Sequence, residues 1–165
     1  MAALSEAQRQ ALLADLGGLR RFCLSLTGQP ADADDLLQAT VERLLEKGMP
    51  ADAHVAKWAY RVCRNVWIDE IRSRDVRQRH SQRADFEEEF TESAEQVADG
   101  ELQIARLSRA LDTLPDDQRL ALTLVTVEGK SYAEAAEILE VPVGTIMSRI
   151  ARARKNLLEI NGLRD

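Results

Sequence analysis

Between positions 144 and 155 the chain carries Thr145, Ser148, Arg149, Arg152 and Lys155, hydroxyls and cations at short helical spacing with no acid between them. At about 100° per residue, with Ile146 at zero, Ile150, Ala153 and Leu157 fall within about 40° and form the seam such a helix would bury. The hydroxyls and cations gather at roughly 180–300°. Short donors near a helix start, followed by Arg and Lys, suit base edges and phosphates in a major groove. The chemistry is recognition rather than bond making. Gly144 leaves room for close backbone approach. Arg154, at about 80°, points to a backbone contact or to solvent. A solvated amphipathic helix would also carry a basic face of this kind.

A second set lies upstream. Lys57, Arg61, Arg64, Asn65 and Arg72 share an arc of roughly 100° on one helical wheel, apart from the apolar positions Val55, Trp58, Ala59, Val62 and Val66. From Lys57 to Arg79 there are 7 basic and 3 acidic residues. Cations that track phosphate, beside aromatics that stack on bases, suit single-stranded or distorted DNA. Trp58 lies near the apolar seam and reads as core. A third set, Asp35, Gln38 and Glu42, recurs opposite the seam of Leu37, Val41 and Leu44. From spacing alone this ridge reads as solvated, and the carboxylates at its start suit the positive end of a helix.

These sets need helices to hold them. The expected helices are Ser5–Leu16, Gly18–Thr27, Asp32–Lys47, Ala53–Arg77, Glu101–Thr113, Pro115–Val127, Ser131–Leu139 and Val143–Leu158, with no alternating pattern that would make a strand. Ser131 and Glu134 have capping-box spacing. Pro142 then breaks the chain before the next helix. A short helix, a tight turn and a longer basic helix make a helix-turn-helix. The chain has 165 residues, 30 % of them charged and 4 % aromatic, with net charge −6. Residues 1–80 carry a net +1, residues 81–100 a net −6 and residues 101–165 a net −1. The acidic excess therefore sits in SQRADFEEEFTESAEQVADG, which reads as a flexible linker. The expected fold is all-α, with two small helical domains, 1–80 and 101–165, joined by the acidic linker 81–100.

Several classes drop out. No apolar run approaches the ~20 residues of a membrane span, and no secretory signal is visible at the start. Two cysteines, Cys23 and Cys63, and two histidines, His54 and His80, give no metal-site spacing. The cysteines read as buried, reduced thiols. There is no phosphate-binding glycine loop and no paired nucleophile and base. No metal, cofactor, small-molecule substrate or membrane insertion is expected, and the setting is cytoplasmic.

The segments DADDLLQATVERLL, KWAYRVCRNVWIDEIRSR and LDTLPDDQRLALTLVTVEGKSYAEAAEILEVPVGTIMSRIARARKNL, in that order around an acidic linker, resemble an extracytoplasmic-function sigma factor of bacterial RNA polymerase. The resemblance spans about residues 15–80 and 101–160. It implies a non-enzymatic transcription initiation factor whose partners are core RNA polymerase, promoter DNA and an anti-sigma factor that holds it inactive until a stress or envelope signal. It implies that Asp35, Gln38 and Glu42 dock on the polymerase, which reverses the solvated reading of that ridge. It further implies that Lys57, Arg61, Arg64, Asn65 and Arg72 read and melt the −10 element, with Asn65 lining a pocket for a flipped base. Gly144, Thr145, Ser148, Arg149, Arg152 and Lys155 would read the −35 element. The loop GMPADAHVAKW lacks the aromatic often found there in the family. No fused regulatory tail is expected after residue 160.

Two rivals differ in kind. A sigma mimic would only sequester an anti-sigma protein and has no need of Arg61, Arg64, Arg149 and Arg152. An autonomous helix-turn-helix repressor or activator would bind an operator tightly without polymerase, usually as a dimer on half-sites.

Overall fold

Serine starts the first helix. The Ser5 hydroxyl accepts from the Gln8 amide while the Gln8 side chain accepts from the Ser5 amide, a closed capping box. Helix α1 then runs Glu6–Thr27 and stops at Gly28, whose φ of 80° lets its N–H reach Leu24 O. A break at Gly17 was expected from sequence, but the helix is continuous. Gly18 stays helical where α1 meets a neighbour: a Cβ there would lie 3.0 Å from the Tyr60 hydroxyl. The glycine thus serves close approach rather than a turn.

The computed structural model describes residues 3–71 and 99–160. Helix α2 spans Pro30–Lys47, with proline in its first turn, where a missing N–H costs nothing. Helix α3 spans Val55–Val66, capped by His54, and widens into one π turn over Trp67–Ile71. In the second block, α4 spans Asp99–Leu111 and α5 spans Asp116–Leu122, followed by a π turn over Thr123–Val127. Helix α6 spans Tyr132–Leu139 and α7 spans Val143–Ile160. The described residues are helical or connecting, as expected. Apart from Asp99 and Gly100, which open α4, the acidic linker lies outside the described residues, as do Arg72 and the rest of the helix expected to run to Arg77.

The helix-turn-helix forms as the caps dictate. Ser131 and Glu134 close a second capping box. Hydrogen bonds from the Ser131 backbone and then its side chain hold the Glu134 carboxyl below its usual pKa. A carboxyl depressed in the folded state adds stability above its unfolded pKa. That contribution is lost as pH falls through the folded value. Replacing Ser131 by alanine should cost about 1 kcal/mol, read as a shift in urea midpoint at neutral pH. The difference from wild type should shrink in acid.

In α2 the deepest residues are Ala33, Leu36, Thr40 and Leu44, not the expected Leu37–Val41–Leu44 line. Leu37 is only partly buried, because α2 rolls to pack on both α1 and α3. Phe22 meets Tyr60 edge-on at 5.1 Å. Cys23 and Cys63 are fully buried, with their Sγ atoms 3.5 Å apart. Their mutual hydrogen bond, and then burial, push the Cys23 thiol far above its usual range. A protonated thiol is a poor nucleophile.

The two blocks also pack on each other. One continuous apolar cluster runs from Leu19, Phe22, Val66 and Trp67 to Leu111, Leu124, Ile138 and Ile146. Its polar centre is Arg119, which is 2 % exposed. Arg119 donates to Asp112 Oδ1 at 2.9 Å, to Ser108 Oγ at 2.6 Å and, across to the first block, to Ser25 O at 3.0 Å. Its guanidinium lies 5.7 Å from the Trp67 ring centroid.

Candidate nucleic-acid interface

Helix α7 buries the seam expected of it: Ile146, Ile150 and Ala153 are all enclosed, and Leu157 is partly so. Asn156 ties the helix to α5 through Gln118, at 2.9 Å. The opposite side is open. Gly144, Ser148, Arg152 and Lys155 are exposed, as the sequence reading requires. Thr145 and Arg149 are half-buried on the flank toward α5, and Arg149 Nε sits 3.6 Å from Asp117 Oδ2. Also exposed on α7, outside that stripe, are Val143, Met147, which is 53 % exposed, Ala151, Arg154, Leu158 and Glu159. The signal was present on the wheel. The exposed face lies opposite the buried seam, whereas the expected stripe was centred on polar type alone.

The cations of α3 are not open. Lys57 Nζ lies 2.6 Å from Glu137 Oε2. Arg61 donates to the backbone carbonyls of Glu137 at 2.8 Å and Ile138 at 3.4 Å, and approaches Glu140 Oε1 at 3.5 Å. Arg64 Nη2 lies 3.2 Å from the same Glu140 oxygen, and its Nε donates to Asn65 Oδ1 at 3.0 Å. Asn65 itself is exposed. The Arg61 guanidinium also lies 5.5 Å from the Trp58 ring centroid, and Trp58 packs against the core as expected. The structure thus gathers Lys57, Arg61 and Arg64 into one cluster, but against α6 rather than solvent.

A second polar junction sits beside this one. The Glu128 side chain is 0 % exposed and accepts from the Tyr60 hydroxyl at 2.6 Å and from Arg21 Nε at 2.9 Å. Lys130 Nζ stands 5.0 Å from the Tyr60 ring centroid. Burial, and then the bond to Glu128, push the Tyr60 hydroxyl well above its usual pKa. The Glu128 bond holds Arg21 more firmly charged. A buried carboxylate shared by a phenol and a guanidinium is a satisfied structural ion pair rather than a catalytic one.

On α2, Asp35, Gln38 and Glu42 stand in one exposed row, Gln38 Nε2 donating to Glu42 Oε1 at 3.1 Å. Leu45, 48 % exposed, continues the row one turn on. The ridge therefore pairs acceptors with an apolar end, a feature missed when only its polar members were read. No described helix is long and apolar enough to cross a membrane.

Residues 13–77 match the family model described as Sigma-70 region 2, and residues 104–157 match that of Sigma-70, region 4. The chain is 35 % identical over 167 residues to the ECF RNA polymerase sigma factor EcfG of Rhodopseudomonas palustris, covering 98 % of this chain and 91 % of that one. It is 36 % identical over 149 residues to the ECF RNA polymerase sigma factor SigM of Mycobacterium tuberculosis, covering 87 % and 71 %. Among solved structures, the sigma factor RpoE in complex with the anti-sigma factor NepR, from Bartonella quintana, superposes with a TM-score of 0.69 at 27 % identity, over 98 % of this chain and 100 % of that one. CnrH in complex with the cytosolic domain of CnrY shares the fold, with a TM-score of 0.65 at 20 % identity, over 96 % and 90 %.

Proposed function

Because the chain belongs to the extracytoplasmic-function RNA polymerase sigma factors, we propose that its 1–80 block docks on core polymerase and opens the −10 element while its 101–165 block reads the −35 element. A sigma subunit performs no catalysis of its own and directs initiation by binding polymerase and DNA. On this reading Asp35, Gln38 and Glu42 hold the polymerase, with Leu45 filling the apolar end of the contact. Lys57, Arg61, Arg64, Asn65 and Arg72 take the −10 strands. Gly144, Thr145, Ser148, Arg149, Arg152 and Lys155 take the −35 duplex, and Met147 and Ala151 add the apolar surface that suits thymine methyl groups. An anti-sigma protein is the expected inhibitor, and the cytoplasm the place of action.

The observation that carries this reading is α7. Its seam of Ile146, Ile150 and Ala153 is buried, and its exposed face holds Gly144, Ser148, Arg152 and Lys155, with the first acid, Glu159, a turn beyond Lys155. Two weak readers on one chain gain affinity once both engage, since the second contact is intramolecular. The test is run-off transcription from a matched promoter with core polymerase. Initiation should require this chain, and equal initiation without it would refute the reading. The sigma-mimic alternative predicts no transcript from any promoter.

Arg152→Ala should weaken recognition of the −35 element by about 1–3 kcal/mol if the side chain forks onto a guanine. Unchanged promoter preference would remove Arg152 from the reading face. Asp35→Ala should weaken assembly with core polymerase and leave binding of isolated −35 duplex as it was, both measured by fluorescence anisotropy.

A further inference from the structure

We infer that Asp117, in the first turn of α5, positions Arg149 as a clamp on a DNA phosphate, so that Arg149 sets the register of α7 on the −35 duplex without reading a base. The inference rests on the reading of α7 as the −35 helix.

Arg149 stands apart from the other cations of that stripe. On the wheel it lies at about 300°, within about 60° of the buried Ile146, whereas Arg152 and Lys155 lie at about 240° and 180°. Its side chain is 24 % exposed, while Ser148, Arg152 and Lys155 are open. It therefore occupies the flank of α7 that faces α5. A helix with its side chains is about 10–12 Å across, and the major groove is about 12 Å wide. The side opposite the seam then meets base edges, and the flanks meet the phosphate rows at the groove walls.

Two consecutive residues of α5 grip this flank. Asp117 Oδ1 accepts from the Gln118 amide at 2.8 Å, which fixes the carboxylate on its own helix. Its other oxygen, Oδ2, faces Arg149 Nε at 3.6 Å. Gln118 Oε1 accepts from Asn156 Nδ2 at 2.9 Å, about two turns further along α7. The Gln118 bond fixes how α7 lies on α5, and the Asp117 pair fixes how Arg149 lies on α7.

The chemistry of the pair suits a clamp. Asp117 meets the guanidinium at its Nε edge, which leaves the terminal nitrogens to fork onto a planar or tetrahedral oxyanion. Arginine binds phosphate in this way, by two parallel N–H···O bonds. A long side chain loses rotamer freedom when it binds, and one already held loses less. A solvent-reached ion pair adds little to stability by itself. The effect of Asp117 therefore falls on the orientation of Arg149.

The test uses the full chain assembled with core polymerase and fluorescein-labelled promoter duplexes, one matched and a set changed at one −35 base pair at a time. Arg149→Ala should weaken binding about tenfold on every duplex alike and lower the salt slope by about one. Arg149→Lys should keep the slope, since an ammonium also meets a phosphate. Asp117→Ala should weaken binding about threefold while Arg149 is present and not at all in Arg149→Ala. Asp117→Asn can still accept from the Gln118 amide and should show the same loss. Removing an acid near DNA would by charge alone strengthen binding, so the sign separates positioning from simple electrostatics. Tighter or unchanged binding in Asp117→Asn would overturn the inference, and so would a loss in Asp117→Ala that persists without Arg149. An Arg149→Ala effect confined to one base pair would overturn it too, because Arg149 would then read a base. Failure of the −35 reading itself would appear separately, as binding that no −35 base-pair change alters.

Discussion

Arg119→Ala should destabilise the chain by about 3 kcal/mol, a lower urea midpoint with an unchanged slope. The guanidinium is buried where α1, α4, α5 and the Trp67 turn meet. Alanine would strip a charged donor from the carbonyls of Ser25 and Ser108 and from the Ser108 hydroxyl. It would also leave a void against the Trp67 ring. Asp112 would lose its partner but is partly exposed, so water can recover part of that loss. Lysine should rescue less than half, since a single ammonium cannot serve several acceptors in a fork. Because Ser25 belongs to the first block and Ser108 to the second, the same variant should loosen the junction between blocks. A loss under about 0.5 kcal/mol would place Arg119 among ordinary surface residues and contradict its central role.

The second large effect concerns transcription. Arg61→Ala combined with Arg64→Ala should lower promoter-directed run-off roughly a hundredfold, as two strand contacts are lost. Affinity for core polymerase should stay near wild type, since the Asp35–Gln38–Glu42 ridge lies on a different helix. Stability should fall by about 1–3 kcal/mol, read from the urea midpoint, because both arginines are largely buried and Arg61 also donates to two backbone carbonyls. Full activity in the double variant would remove α3 from promoter opening.

Local signals in the chain were legible wherever the physics is local. The Ser131–Glu134 box, the Pro142 break and the Ile146–Ile150–Ala153 seam all stand where spacing put them. The break implied by the bounds Ser5–Leu16 and Gly18–Thr27 is absent, since α1 runs through and Gly18 serves the close approach of Tyr60. The partners of Arg61 and Arg64 were not legible. Glu140 lies 76 residues from Arg64, and nothing in helical periodicity pairs charges across such a gap. Arg119 was equally hidden. In DDQRLAL it looks like an ordinary helix cation, and only the meeting of two blocks buries it. Met147 faces out, 53 % exposed, a position that follows from the seam and not from its apolar type.

Glu137 and Glu140 cover the cations of α3 in the free chain, and the proposed promoter contact requires those cations to be freed. Donor and acceptor dyes on Asp52→Cys and Ala133→Cys, both exposed positions, report that closure directly, with Cys23 and Cys63 buried away from the reagents. Energy transfer should be high in the free chain and fall sharply when core polymerase and promoter DNA are added, in the same complexes that yield run-off transcript. Undiminished transfer in a transcribing complex would mean that α6 never leaves α3, and the assignment of Arg61 and Arg64 to the promoter would be wrong.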